Sequence, residues 1–266
     1  MLRIYLTGDI CLTTAETVIR ADRLPGRQGR VVFSYLVIGR GRAVSRDELA
    51  ETLWPEHQPK SAEIALSAVI SKLRSLLAEI GLRRSAVTAG SGTYRLALPG
   101  DSWIDIEAAF QSAHLAEAAL LARDPRRAYG PAVVACTILR REFLPGEEGA
   151  WIDRQREELR RARLRALDCL AQIHAATGEH ALALRAAEEA VDLEPFREAG
   201  YRRLMLLHDA AGNRAEAMRV YGRLEALLAK ELSTVPGPDT RHVFESVTAA
   251  AQSLNSGREP KPTQSR

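Results

Sequence analysis

The chain has no run of about 18 apolar residues, so nothing in it predicts a membrane span. The N-terminus, MLRIYLTGDI, lacks a basic stretch ahead of a long apolar core, and no signal peptide is expected. Cysteine is scarce: Cys11, Cys136 and Cys169 are odd in number and far apart, which argues against a disulfide framework or a zinc site. A soluble, globular protein of a reducing, cytoplasmic compartment is the expectation. Lysine is rarer than arginine, occurring only at Lys60, Lys72, Lys230 and Lys261. These follow Pro59, Ser71, Ala229 and Pro260, so the Gly-Lys pair of a phosphate-binding P-loop is missing. The histidines, His57, His114, His174, His180, His208 and His242, form no ligand or catalytic pattern, and no Ser-His-Asp, Cys-His or paired-carboxylate set follows from spacing. No enzyme activity, cofactor or metal is expected.

Charge is unevenly spread. Residues 1–100 carry 14 basic and 9 acidic side chains, a net +5, while the remainder is near neutral at −2. A basic first part joined to a neutral second part suits a nucleic-acid binder linked to a partner-binding module, although +5 is modest.

The most informative stretch runs from Ser45 to Leu77. Ser45 and Glu48 make an S-x-x-E capping box. Leu49, Leu53 and Trp54 give the helix that follows one apolar side, and Pro55 and Pro59 stop it. A second helix over 61–79 carries Leu66, Val69, Ile70, Leu73, Leu76, Leu77 and Ile80 at spacings of three and four. Its opposite side shows Lys60, Ile64, Ser67, Ala68, Ser71 and Ser75, flanked by Lys72 and Arg74. Small, hydroxylated side chains edged with cations let a helix sink into a DNA groove, where Ser and Ile meet base edges or thymine methyls. A serine-rich solvated helix would show the same pattern, and the surroundings must separate the two.

Before this pair, Leu2 to Leu12 predicts two short strands broken at Gly8-Asp9, Glu16 to Arg20 a third, and Arg27 to Ile38 a helix ended by Gly39-Arg40-Gly41. After it, Ser85 to Thr88 and Thr93 to Leu98 predict a hairpin around Ala89-Gly90-Ser91-Gly92, forming a wing over 85–98. Arg83, Arg84 and Arg95 surround it with positive charge. Three helices and a basic hairpin describe a winged helix-turn-helix, whose second paired helix enters the major groove. Trp54 is expected as a core anchor under the helix pair, and Tyr94 as packing between wing and helix.

The second half repeats. Gly178 and Gly212 lie 34 residues apart, as do Ala181 and Ala215, Ala183 and Ala217, His174 and His208, and Leu170 and Leu204. That is the tetratricopeptide period. Ile106 to Ala122 and Pro131 to Arg141 predict an earlier, less regular helix pair. Ala150 to Ala176 predicts one long helix, with Arg154 to Arg165 as a salt-linked, solvated stretch, and Asp239 to Ser253 a capping helix. Trp103 and Trp151 are expected to seat the first repeat helices.

The segments VSRDELAETLWP, LSAVISKLRSLL and GTYRLAL resemble the OmpR/PhoB-type DNA-binding domain of the SARP/AfsR group of regulators. AVDLEPFREAGYRRLM, GNRAEAMRVYGRLEALLAKEL and VPGPDT resemble the bacterial transcriptional activator domain that follows it there. The likeness departs at Ser233-Thr234, where relatives have Leu-Gly and use the glycine as a helix C-cap. Larger members continue into an ATPase domain, which this sequence does not reach. The expectation is a mainly α protein with small β-sheets: a winged helix over 1–100, tetratricopeptide-like repeats over 101–253 and a disordered tail over 254–266. Its partner would be double-stranded DNA, contacted by Lys60, Ile64, Ser67, Ser71, Lys72, Arg74, Arg83, Arg84 and Arg95. The resemblance further implies an activator, homodimeric on promoter direct repeats, that recruits RNA polymerase. The alternative is a helical-repeat adaptor that has lost DNA binding.

Overall fold

A computed structural model of the chain describes the backbone of residues 1–256 and the side chains of residues 1–249. The order is β1 (Arg3–Tyr5), β2 (Cys11–Thr13), β3 (Val18–Arg20), α1 (Gly26–Ile38), β4 (Val44–Ser45), α2 (Arg46–Leu53), α3 (Ala62–Glu79), β5 (Val87–Gly90), β6 (Thr93–Leu96), β7 (Trp103–Ile104), α4 (Asp105–Leu121), α5 (Pro125–Leu139), α6 (Ala150–Ala176), α7 (His180–Leu193), α8 (Glu198–Ala210), α9 (Arg214–Leu232) and α10 (Pro238–Ser256). The fold is mainly helical, with a mixed α/β first part and tetratricopeptide-like helices after it. Residues 254–256 are the last turn of α10; the rest of the expected tail lies outside the described residues.

The chain groups into two compact units, Met1–His114 with Val134–Arg163, and Leu115–Val133 with the residues from Leu164 on. This grouping differs from a division at residue 100, and side chains explain why. In the first unit a four-stranded sheet has the order β3-β2-β1-β7, with β1 and β7 parallel and the other pairs antiparallel. The register sets Ile19, Leu12, Ile4 and Ile104 side by side, none more than 2% exposed. The sheet therefore closes with a strand from beyond residue 100. Just after it, the fully buried carboxylate of Asp105 accepts from the amides of Leu6 (2.9 Å), Thr7 (2.9 Å) and Ile106 (2.8 Å) and from the Thr7 hydroxyl (2.7 Å).

Residues 134–163 are held as firmly. Glu147, 4% exposed, pairs with Arg30 and, at 3.3 Å, with Arg27. Arg156 donates to the carbonyls of Phe143, Leu144 and Glu147, and the Trp151 ring lies 4.7 Å from Tyr35 and 5.6 Å from Phe143. Trp103 meets Tyr5 at 5.2 Å. Both tryptophans thus serve the first unit rather than seating repeat helices.

In the second unit the repeat is visible in the backbone. Gly178 and Gly212 both take positive φ, 78° and 74°, and follow the same bonding: Glu179 N–H donates to His174 O and Asn213 N–H to His208 O, each at 2.8 Å. Glycine adopts this left-handed turn without steric cost. Tyr201, Leu204, Met205, Leu224 and Leu228 form the core, and Tyr221 stacks on Phe244 at 4.0 Å. Glu198, at the start of α8, accepts from Gly237 N–H (3.0 Å) and the Thr240 hydroxyl (2.5 Å), capping α10 across 42 residues. Burial pushes the Cys169 thiol up to about 11, the setting of an inert packing cysteine. Pro131 lies inside α5, which starts six residues earlier than expected, with Pro125 in its first turn where no N–H is needed.

Two stability outcomes follow. Asp105→Ala leaves three buried amides and a hydroxyl short of their acceptor and is expected to cost about 3 kcal/mol or more in urea unfolding. Ser233 caps α9 in the left-handed region (φ 51°), so Ser233→Gly is expected to stabilise by about 0.5–1 kcal/mol, read as a raised Tm.

Candidate nucleic-acid interface

α3 is set in place by its aliphatic side. Leu66, Val69, Ile70, Leu73, Leu76 and Leu77 are each at most 6% exposed. The helix begins at Ala62 with Ser61 as cap residue, so Lys60 sits in the turn ahead of it rather than on it. With that side packed, Ile64, Ser67, Ala68, Ser71, Lys72 and Ser75 are all exposed. The side chains in the middle of this face are short, apart from Ile64, which is 75% exposed.

The wing stands beside the helix. β4, β6 and β5 form a three-stranded antiparallel sheet in that order, with Val44 opposite Tyr94 and Val87 opposite Leu96. Tyr94 and Leu96 point inward, while Arg95 between them is exposed, the period-2 alternation of a half-buried strand. The tip is a two-residue turn at Ser91-Gly92, both with positive φ (47° and 74°), matching the twist a tight hairpin needs. Arg83 and Arg84 are exposed where the chain leaves α3 for the wing.

Arg74 is placed differently from its neighbours. It is half-buried, and its Nε donates to the Val87 carbonyl at 2.8 Å, tying α3 to the first wing strand. This geometry favours a strut over a base contact. Trp54 also differs from expectation: it is the C-cap residue of α2 and only half-buried, because the chain turns away there.

Two features of the face were not evident from sequence. Arg23, 48 residues ahead of Ser71, shares a shallow groove with Ser71, Lys72 and Ser75 and pairs with Glu79 at 2.8 Å. Arg46 lies over the Tyr94 ring at 5.7 Å, and its backbone N–H donates to Gly92 O, joining the start of α2 to the wing tip. No spacing rule flags either, since both depend on tertiary placement.

α2 is anchored by an ionic cluster. Ser45 Oγ accepts from Glu48 N–H at 3.0 Å, as the capping box requires. The Glu48 carboxylate is held by Arg42 (2.5 and 3.0 Å) and the Tyr35 hydroxyl (2.5 Å). The Arg42 guanidinium first, and then the Tyr35 hydroxyl, lower its pKa to about 2 against the opposing effect of burial. Burial, then the Glu48 hydrogen bond, raises that of Tyr35.

Among the described residues no group of three or more His, Cys, Asp or Glu is placed to hold a metal, and no helix is long and apolar enough to cross a membrane. His174 is buried against Glu179, with Nδ1 2.5 Å from its carboxylate.

The sequence model of the bacterial transcriptional activator domain matches residues 104–248, more than half of the chain. The chain belongs to this family. With its winged helix it is a SARP/AfsR-type protein. This SARP-type chain is 29% identical over 227 residues to regulatory protein AfsR of Streptomyces coelicolor, covering 85% of this chain and 22% of that one. It is 25% identical over 240 residues to the transcriptional regulatory protein MoaR1 of Mycobacterium tuberculosis, covering 87% and 76%. It thus spans less than a quarter of the AfsR relatives it matches. A structure of Mycobacterium tuberculosis EmbR in complex with a low-affinity phosphopeptide superposes with a TM-score of 0.83 at 23% identity, over 96% of this chain and 69% of that one, which shows a shared fold.

The Glu48 cluster sets a pH dependence. Because its pKa in the fold lies below the ordinary 4.5, its stabilisation is complete above pH 4.5 and is lost as pH falls toward 2. The Tm difference between wild type and Glu48→Gln is expected to be largest near pH 6, to shrink as pH falls below 4.5 and to reach its minimum only below about pH 2.

Proposed function

We propose that this SARP-type chain is a sequence-specific DNA-binding transcription regulator that lays α3 in the major groove and the wing along the adjacent backbone. The observation that carries this is the exposed face of α3. Its packed side is aliphatic, its free side is short and hydroxylated, and cations border it. Short side chains allow close approach to base edges, and lysine and arginine neutralise phosphates.

Lys60, Lys72, Arg83, Arg84 and Arg95 would fix position on the backbone. Ser67, Ser71 and Ile64 would meet bases, and Arg74 would hold the wing at its angle to the helix. The tetratricopeptide-like helices would carry the contacts that let two copies sit on a direct repeat and engage RNA polymerase, since stacked helix pairs present extended surfaces to protein partners. The regulatory names of the AfsR and MoaR1 relatives support this reading.

The test is selection of bound fragments from genomic DNA, followed by mobility shift across a salt series. Lys72→Ala and Arg84→Ala are each expected to weaken all sequences alike and to flatten the log K against log salt slope by about 1. Ser71→Glu, which sets a carboxylate in the middle of the face, is expected to abolish specific binding. A chain that enriches no fragment at low salt would instead be a protein-binding adaptor.

A further inference from the structure

α3 carries one aliphatic side chain that its own fold does not use. Leu66, Val69, Ile70, Leu73, Leu76 and Leu77 are buried, yet Ile64 is 75% exposed. It is in the first turn of α3, and Ser67, Ala68, Ser71 and Ser75 follow it at three, four, seven and eleven residues along the same exposed face. Nothing among these neighbours is long enough to cover it. A β-branched residue gains nothing in helix propensity at such a site. The flanks carry Lys72 and, in the turn ahead, Lys60, while the adjacent Glu63 is paired with Arg46 at 3.8 Å, so the balance of the surroundings suits a polyanion better than an apolar protein surface.

Within a major groove the aliphatic group on offer is the thymine C5-methyl, and the residues at the start of a recognition helix are those that reach base edges. We infer that Ile64 is a specificity-determining residue that reads a thymine through its methyl group, making the operator preference at that position one for 5-methylpyrimidine. This inference rests on the DNA-binding reading above and adds to it which side chain reads which chemical group. The serines beside it can donate to or accept from any base edge and so discriminate less.

Burying one methyl group is worth about 0.8 kcal/mol, which is roughly a four-fold change in affinity. The experiment uses the full chain and a duplex enriched from a random-sequence library. Each thymine is replaced in turn by deoxyuridine, which removes the methyl and leaves the base-pairing edge unchanged. At one position per bound copy the replacement is expected to weaken binding about three- to ten-fold in fluorescence anisotropy. Ile64→Ala is expected to weaken the thymine duplex by a similar factor and to lose the response to deoxyuridine, while Ile64→Val keeps most of it. Because Ile64 is exposed, circular dichroism and Tm should be unchanged in both variants.

Uniform tolerance of deoxyuridine at every position would overturn the inference while leaving DNA binding intact. So would a deoxyuridine response that persists undiminished in Ile64→Ala. Failure to enrich any duplex would overturn the DNA-binding reading and this inference with it.

Discussion

Six aliphatic side chains along one side of α3, from Leu66 to Leu77, are almost completely buried, and that burial sets the rotation of the helix about its axis. Each is worth up to about 1.5–3 kcal/mol against the unfolded chain. Turning the helix by a single residue would expose several of them and bury serines without partners. The solvent side is therefore fixed by the packed side. Arg74 then fixes the wing relative to the helix through Val87, and Arg46 fixes the wing tip relative to α2. Three constraints, one apolar and two polar, hold the candidate interface as one surface.

This arrangement explains how a chain with a modest overall charge presents a cationic border. The bordering charges include Lys72 on the helix, Arg84 at its exit and Arg95 on the hairpin, all exposed and separated in sequence, while Arg23 beside Lys72 is paired with Glu79. Elsewhere in the same unit, arginines are used internally. Arg27 and Arg30 meet Glu147, Arg40 meets Glu107, and Arg42 meets Glu48, so a count of basic residues overstates what is free to meet a polyanion.

Where a local rule and the tertiary structure agree, the sequence was legible. α6 runs from Ala150 to Ala176 as expected, because nothing interrupts its period, and the 34-residue repeat appears as two turns with the same bonding at Gly178 and Gly212. The exposed face of α3 was legible for the same reason. Two-residue strands were not: Val44-Ser45 and Trp103-Ile104 have no periodicity to detect, yet each completes a sheet. The Arg74 bond to Val87 was not legible, because spacing places a side chain on a flank but does not say which carbonyl it will find. The link from Glu198 to Gly237 and Thr240 joins two stretches that each carry the family resemblance, with no spacing rule pairing them.

The first compact unit draws on two stretches of chain, with residues 115–133 between them. A fragment stopped at residue 100 would keep all of α3 and the wing. It would nonetheless lose β7 and Asp105, leaving β1 with an open edge and the Leu6 and Thr7 amides without an acceptor. Inactivity of such a truncation would report a broken scaffold and say nothing about the groove-facing helix. A cut at residue 100 thus separates the groove-facing helix from the strand that closes its sheet, and studies of recognition call for the intact chain.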